Sequence, residues 1–256
     1  MSPIEALIQR SQKDGYFTEG EIVIEGQIKS GTVNQCWKLK SGEYQYLARM
    51  SRELPAQFLT NWISEIELNR RAAKIGVAAE PVWLDANSLS AIYPWCGDPV
   101  RKEVLSHSLL SRLGEILSRL HSLDSSAKKI GYRQTIESYL NIIQPQEHPR
   151  ELLRLADHWD QYSALVFCHH DLNPGNILWD GNKLRLIDWE YARTAHPLFD
   201  LASLSHHYDL SDEDLEHLLN HYTPDQYSIE EVRLGEDMVK GLEQLWLSAA
   251  SSSIGN

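Results

Sequence analysis

The chain has 256 residues, 42% of them hydrophobic and 23% charged, with a formal net charge of −12. That length suits two lobes or one large domain with a sizeable core, and the composition is that of an ordinary globular enzyme. The acidic balance excludes nucleic acid and anionic membrane as favoured partners and leaves cationic ligands weakly favoured.

Met1 to Asp14 holds no apolar run of signal-peptide length. The first 50 residues read as strands with turns. Glu21–Ile28 alternates around Ile22, Ile24 and Ile28, and a turn at Lys29–Thr32 leads to Val33–Lys40. The Ser41-Gly42 turn then leads to Tyr44–Met50. From about Ala56 to Ile75 the spacing becomes helical, with Leu59, Ile63, Ile66 and Ala73 on one face and Gly76 placed as a C-terminal cap. Pro81–Leu84 and Leu89–Tyr93 read as further strands. The strand pattern stops around Pro94–Pro99, which puts a lobe boundary there, with residues 1–96 before it and 97–256 after it.

The second part is mainly helical. Leu109, Leu113, Ile116 and Leu120 form a stripe that ends at His121, and two weaker helices fall within 135–162. A β-rich interlude runs from Leu165 to Asp188. Residues 198–252 are helical again, with Ser211 capping a helix to Tyr222 and a frayed tail from Ser251. No stretch approaches the roughly 18 apolar residues of a membrane span. Cys36, Cys96 and Cys168 are odd in number and widely spaced, so neither a disulfide framework nor a cysteine zinc site is expected, and a reducing cytoplasm is.

The chemistry-bearing stretch is Cys168–Leu178 followed by Leu186–Glu190. Asp171 and Asn176 stand five apart across a Pro-Gly turn. After the Asp180-Gly181 turn the chain can return antiparallel and bring Asp188 beside Asn176. Three oxygen-bearing side chains then converge in a way that suits Mg²⁺, with a separate carboxylate left to accept the proton of an attacking hydroxyl. An isolated turn-rich loop would account for Asp-Leu-Asn-Pro-Gly-Asn alone, but not for the ordered set that ends in Asp188.

His169-x-Asp171-x-x-x-x-Asn176 and Asp188-Trp189-Glu190 resemble the catalytic and metal motifs of the choline kinase / aminoglycoside phosphotransferase superfamily. The run Leu186–Ala192 with Phe199–Ala202 most resembles bacterial choline kinase-like and thiamine kinase-like members. The resemblance covers roughly residues 22–210. It implies an α+β, two-lobed, protein-kinase-like fold with a β-rich first lobe and a larger helical second lobe. It further implies ATP and Mg²⁺ as cofactors, with Asp171 as catalytic base and Asn176 and Asp188 as metal ligands. Glu190 would support the metal, His169 would brace the loop and Asp200 would anchor it.

The same resemblance puts the nucleotide-covering loop at Ser30-Gly31-Thr32-Val33-Asn34, which on its own residues reads equally as a hairpin turn. Gly26 and Gly31 have Walker-loop separation, but the required Lys-Ser/Thr is missing. A kinase-like fold needs a cation on its third strand paired with a helix glutamate. Arg49 stands there, with Glu65 as its partner and Glu67 as the rival. Adenine is expected at the lobe junction near Tyr93 and Trp95, although Cys96-Gly97-Asp98 departs from the family's usual hinge.

The expected acceptor is a small cationic alcohol, choline or ethanolamine, with thiamine next and an aminoglycoside or sugar third. A non-catalytic pseudokinase and a metal hydrolase are the alternatives of other classes, although the first would be expected to lose one of Asp171, Asn176 and Asp188 and the second to hold zinc. Trp189, Tyr191, Trp246 and Tyr208 are candidate walls for such a cation, or plain core. His169–His170, His206–His207 and His217/His221 are zinc-compatible in type, but no third ligand recurs at fixed spacing, so surface or capping roles are expected. A monomer or homodimer is expected.

Overall fold

The computed structural model describes residues 1–17, 22–28, 34–52, 54–124, 129–223 and 226–253. At the N-terminus, where strands are expected, Ser2 and Glu5 form a capping box: Ser2 Oγ accepts from the Glu5 N–H and Glu5 Oε2 from the Ser2 N–H. Pro3 fits the first turn, and helix α1 runs Pro3–Lys13. Its Ile4 and Leu7 pack with Trp37, Leu39, Ala48, Trp83 and Ile92 into a small core.

That core covers one face of a five-stranded antiparallel sheet. Its strands are β1 (Ile22–Ile28), β2 (Gln35–Ser41), β3 (Tyr44–Met50), β4 (Trp83–Asp85) and β5 (Ser90–Pro94), in spatial order β1-β2-β3-β5-β4. Gly42 turns β2 into β3 with a φ of +60°, a conformation glycine adopts at little cost. The expected turn at Lys29–Thr32 lies outside the described residues.

The expected helix over 56–75 is shorter and turned differently. A 3₁₀ turn (Ala56–Phe58) ends at Leu59 with φ +61°, and helix α2 (Trp62–Lys74) then starts from an Asn61 cap. Its buried residues are Glu65, Ile66, Asn69 and Ala72, while Ile63 is 68% exposed. The buried face mixes Glu65 and Asn69 with Ile66 and Ala72, so Ile66 of the expected stripe is buried and Ile63 is not. Gly76 follows the helix at φ +75°, as expected of a C-terminal cap. Although α2 precedes the expected boundary at 96, Phe58, Ala72, Val77 and Ala78 belong to the large second core.

That larger core gathers helices α3 (His107–His121), α4 (Tyr132–Ile143), α5 (Arg150–Asp160), α6 (Leu198–Tyr208), α7 (Asp212–Tyr222) and α8 (Ile229–Ser253). The stripe Leu109, Leu113, Ile116, Leu120 is buried as its spacing predicts, each side chain worth roughly 1.5–3 kcal/mol on burial. Ser211 forms a capping box with Asp214. Where fraying is expected from Ser251, α8 continues to Ser253.

Two small sheets carry the loops between these helices. In one, β7 (Val166–Cys168) pairs with β10 (Arg193–Ala195). In the other, β6 (Asp98–Pro99), β8 (Ile177–Trp179) and β9 (Leu184–Leu186) lie side by side. Gly97 has φ +95°, and a Cβ there would lie 2.1 Å from the Trp179 carbonyl oxygen. Only glycine lets the chain leave the first sheet and settle against β8. Among the described residues no helix is long and apolar enough to cross a membrane.

Candidate active site

The loop after β7 is fixed from beneath by one carboxylate. Asp200, in the first turn of α6 and fully buried, accepts the backbone N–H of His169 and of His170, each at 2.8 Å. Its Oδ2 also lies 3.1 Å from His121 Nε2, and His121 Nδ1 bonds the Tyr222 hydroxyl at 2.9 Å. A buried charge tolerates such a position because it is hydrogen-bonded on several sides. His170 takes a φ of +69°, a strained choice for a non-glycine residue, and is held there by a face-to-face stack on Phe199 at 3.7 Å and by Arg193 at 2.8 Å.

His169 braces the loop from within. Its Nδ1 accepts the Asp171 N–H at 3.3 Å and its Nε2 meets the Ile187 carbonyl at 2.9 Å, so the neutral ring protonated on Nε2 satisfies both. Burial lowers its pKa, in accord with that neutral form.

Asp171 is thereby presented to a cavity of about 650 Å³ between the two lobes. Asn173 Nδ2 donates to its Oδ1 at 3.0 Å, and Asn176 Nδ2 donates to its Oδ2 at 2.7 Å. Burial, and then the charge of Asp188, push the Asp171 carboxyl up to about 7, although both asparagines favour its ionised form. Asn176, on the 3₁₀ turn Pro174–Asn176, also accepts the Ile187 N–H on its backbone carbonyl at 3.0 Å. This bond closes the β8–β9 hairpin and brings Asp188 beside Asn176, as the spacing predicts. Asp188 itself sits at φ +67°.

On the opposite wall, Arg49 of β3 reaches down from the first sheet. Its Nη1 is paired with Glu65 of α2, and its Nη2 stands 3.0 Å from Asp188 Oδ1. Glu65 rather than Glu67 is thus the partner. The Arg49–Asp188 contact has the distance of an ion pair but not the angles of a hydrogen bond, so among the described residues Arg49 Nη2 and Asp188 Oδ1 both lack a hydrogen-bond partner. Burial opposes the Arg49 charge, but Asp188 and Glu65 hold it protonated. Burial raises the Glu190 carboxyl well above its ordinary value, and Asp188 raises it further.

The donor set fits a hard divalent cation. Among the described residues Asp188 Oδ1 and Asn34 Oδ1 are buried acceptors without a donor, and Asn34 Nδ2 lies 3.5 Å from Asp188 Oδ2. With the Asn176 amide nitrogen turned to Asp171, its carbonyl oxygen is the atom left for a metal, and Glu190 adds a carboxylate to the same cavity. Oxygen ligands in small number are what Mg²⁺ takes. Tyr93 and Trp95 line the cavity at the lobe junction, and the Trp95 N–H is already bonded to the Gln45 carbonyl at 3.0 Å. Ser30 and Gly31 lie outside the described residues.

The aromatic residues expected as acceptor walls divide. Trp246 and Tyr191 face the cavity and are joined, indole N–H to hydroxyl, at 2.6 Å. Trp189 is only 1% exposed, packed against Phe167 and His169, and offers little ring face. Tyr208 is core, its hydroxyl donating to the Val100 carbonyl at 2.7 Å. Tyr139, Glu243 and Asn173 line the cavity without having been singled out from the sequence. For Asn173 the Asp-x-Asn spacing is a usable signal; for Tyr139 and Glu243, on distant helices, no local signal exists. His217 stacks on His107, and His221 lies tilted against His217. His206, His207 and Glu243 bring three ligand-type atoms within 4.8 Å of one another at the α6–α8 edge.

A β-rich lobe and a helical lobe facing each other across this carboxylate-lined cavity define a protein-kinase-like fold of the small-molecule kinase type. The chain belongs to the phosphotransferase enzyme family, whose sequence pattern matches residues 26–233. The choline kinase LicA from Streptococcus pneumoniae superposes with a TM-score of 0.72 at 21% identity, over 98% of this chain and 92% of that one. A LicA structure in complex with AMP gives 0.74 at 20% identity, over 97% and 91%. Protein LicA of Haemophilus influenzae is 27% identical over 164 residues, and the match spans 59% of this chain and 57% of that protein's length.

Proposed function

We propose that this chain transfers the γ-phosphoryl group of ATP, with Mg²⁺, to the hydroxyl of a small cationic alcohol, choline or ethanolamine foremost. The observation that carries the reading is the convergence of Asp171, Asn176 and Asp188 on one cavity wall, opposite the Arg49–Glu65 pair. The AMP complex of a protein with the same fold supports a nucleotide in this cavity. Residues 1–96 would cover it and residues 97–256 would supply the loop and the acceptor site. Three free cysteines suit a reducing cytoplasm.

In this reading Asp188 and Asn176, with Glu190 in support, would hold Mg²⁺, which would supply charge neutralisation at the triphosphate. Arg49 binds phosphate oxygens with the donors not engaged by Glu65. Asp171, oriented by Asn173 and Asn176, takes the proton of the attacking hydroxyl. Glu190, Glu243, Tyr191 and Trp246 give the acceptor side carboxylates and aromatic faces, which suit an ammonium group.

The test is ADP release at fixed Mg-ATP with choline, ethanolamine, thiamine, an aminoglycoside and a neutral sugar. The first two should give the highest kcat/KM. Thiamine in first place would change the acceptor and keep the cation. A preference for the sugar would end the cationic reading and leave the kinase standing.

A further inference from the structure

A second cavity, of about 290 Å³, shares no lining residue with the first. It lies between α3 and the tip of the β8–β9 hairpin. Four cations converge on it: Arg112 and Arg119 from α3, and Lys183 and Arg185 from the hairpin. Arg112 and Arg119 are seven residues apart, hence two turns along one helix face, and the buried Ile116 between them forms part of the cleft floor. Arg185 alternates with the buried Leu184 and Leu186 and so projects outward from β9.

Arg112, Arg119 and Lys183 are exposed and Arg185 is half-buried, and each of the three guanidiniums is oriented by a neutral group. Arg119 Nη1 donates to the Ile75 carbonyl at 3.1 Å and Arg185 Nη1 to the Leu184 carbonyl at 3.0 Å. The Arg112 guanidinium lies over the Trp179 ring at 5.3 Å. Each contact orients its guanidinium without neutralising it and leaves further N–H donors unused. Among the described residues, every Lys or Arg ion pair with a carboxylate involves other cations. Two acids are near. Glu115 lines the cleft, and Asp180, engaged by the N–H groups of Asn182 and Lys183, also feels the charges of Arg185 and Lys183.

We infer that this cleft binds a small phosphate-bearing anion at a site separate from the nucleotide cavity. Forked guanidiniums on two facing elements match the several acceptor oxygens of a phosphate group. The chain's net charge of −12 repels extended polyanions, so a local cationic cleft of this size selects a compact ligand. The inference does not depend on which alcohol is phosphorylated.

The experiment is calorimetric titration of the full chain with inorganic pyrophosphate, without Mg²⁺, on wild type, on Arg112→Gln/Lys183→Gln and on Arg49→Gln. Saturable binding should weaken at least about tenfold in the double variant and persist in Arg49→Gln. If the double variant does not fold, as judged by melting, each single substitution should weaken binding about threefold. Loss in Arg49→Gln with retention in the double variant would move the anion to the main cavity and overturn the inference. Loss in both variants, loss in neither, or no saturable binding to wild type would overturn it as well.

Discussion

Asn176 holds Asp171 twice, its amide nitrogen donating to the Asp171 carboxylate at 2.7 Å and to the Asp171 backbone carbonyl at 2.9 Å. The carboxylate therefore has one orientation, and the same asparagine keeps a carbonyl oxygen for a metal. Asp171→Asn should lower turnover by a factor of about 10² or more, with melting and Mg-ATP affinity little changed. Turnover within about tenfold of wild type would remove Asp171 as the base. Burial is the first cause that raises this carboxyl, so turnover should fall as pH drops and the base becomes protonated.

The same shift has a signed effect on folding. A carboxyl raised in the folded state contributes stability below its ordinary value of 3.8 and loses it as pH rises through about 7. Metal-free wild type should therefore lose stability over that window relative to Asp171→Asn. Urea titrations at pH 4 and pH 8 that give the same wild-type-minus-variant difference would contradict this.

Arg49 stands between Glu65 and Asp188, so its charge balances two carboxylates before any phosphate arrives. Lys carries a single point charge and cannot serve a helix glutamate and a phosphate with separate donors. Arg49→Lys should raise the KM for ATP about tenfold, equivalent to the loss of one charge-assisted hydrogen bond. Asp188→Ala should weaken Mg-ATP binding at least as much, because Asn176 is neutral and Glu190 only supports the metal. Unchanged affinity of Asp188→Ala by calorimetry would refute the metal assignment.

How much of this was legible in the sequence depends on how local the signal is. His169, Asp171, Asn176 and Asp188 are joined by one loop and one hairpin, so spacing and turn residues were enough to bring them together. Helix α1 was missed: Ser2, Pro3 and Glu5 carry its start signal, but only Ile4, Leu7 and the small Ser11 are buried along it, too few for a stripe. Periodicity misled at α2, because its inward face carries Glu65 and Asn69 and leaves Ile63 outside. Trp189 shows the complementary failure: an aromatic beside a functional aspartate reads as a binding wall, yet it packs against His169 and supports the loop from the core.

Gly97 gives a test of the lobe junction. With φ +95° and the Trp179 carbonyl oxygen 2.1 Å from any Cβ, alanine must push β6 away from β8. Gly97→Ala should cost about 3 kcal/mol or more, combining overpacking with a disfavoured backbone angle. A urea midpoint equal to wild type would mean that the junction has another conformation in solution.

Trp246 separates acceptor binding from nucleotide binding. It comes from α8, faces the cavity, and is oriented by its 2.6 Å hydrogen bond to Tyr191, whose own phenol is kept protonated by burial and by Glu190. A ring fixed in this way presents its face at little entropic cost. A cation on such a face gains roughly 0.5–2 kcal/mol, about 2- to 30-fold in affinity. Trp246→Ala should therefore raise the KM for choline or ethanolamine within that range, while the KM for ATP, set at Arg49 and Asp188, stays near wild type. Tyr191→Phe keeps a ring but frees the indole and should give a smaller rise of the same kind. If both variants change the KM for ATP and leave that of the acceptor alone, the cation does not sit on this face. The acceptor side of the cavity must then be sought around Tyr139 and Glu243.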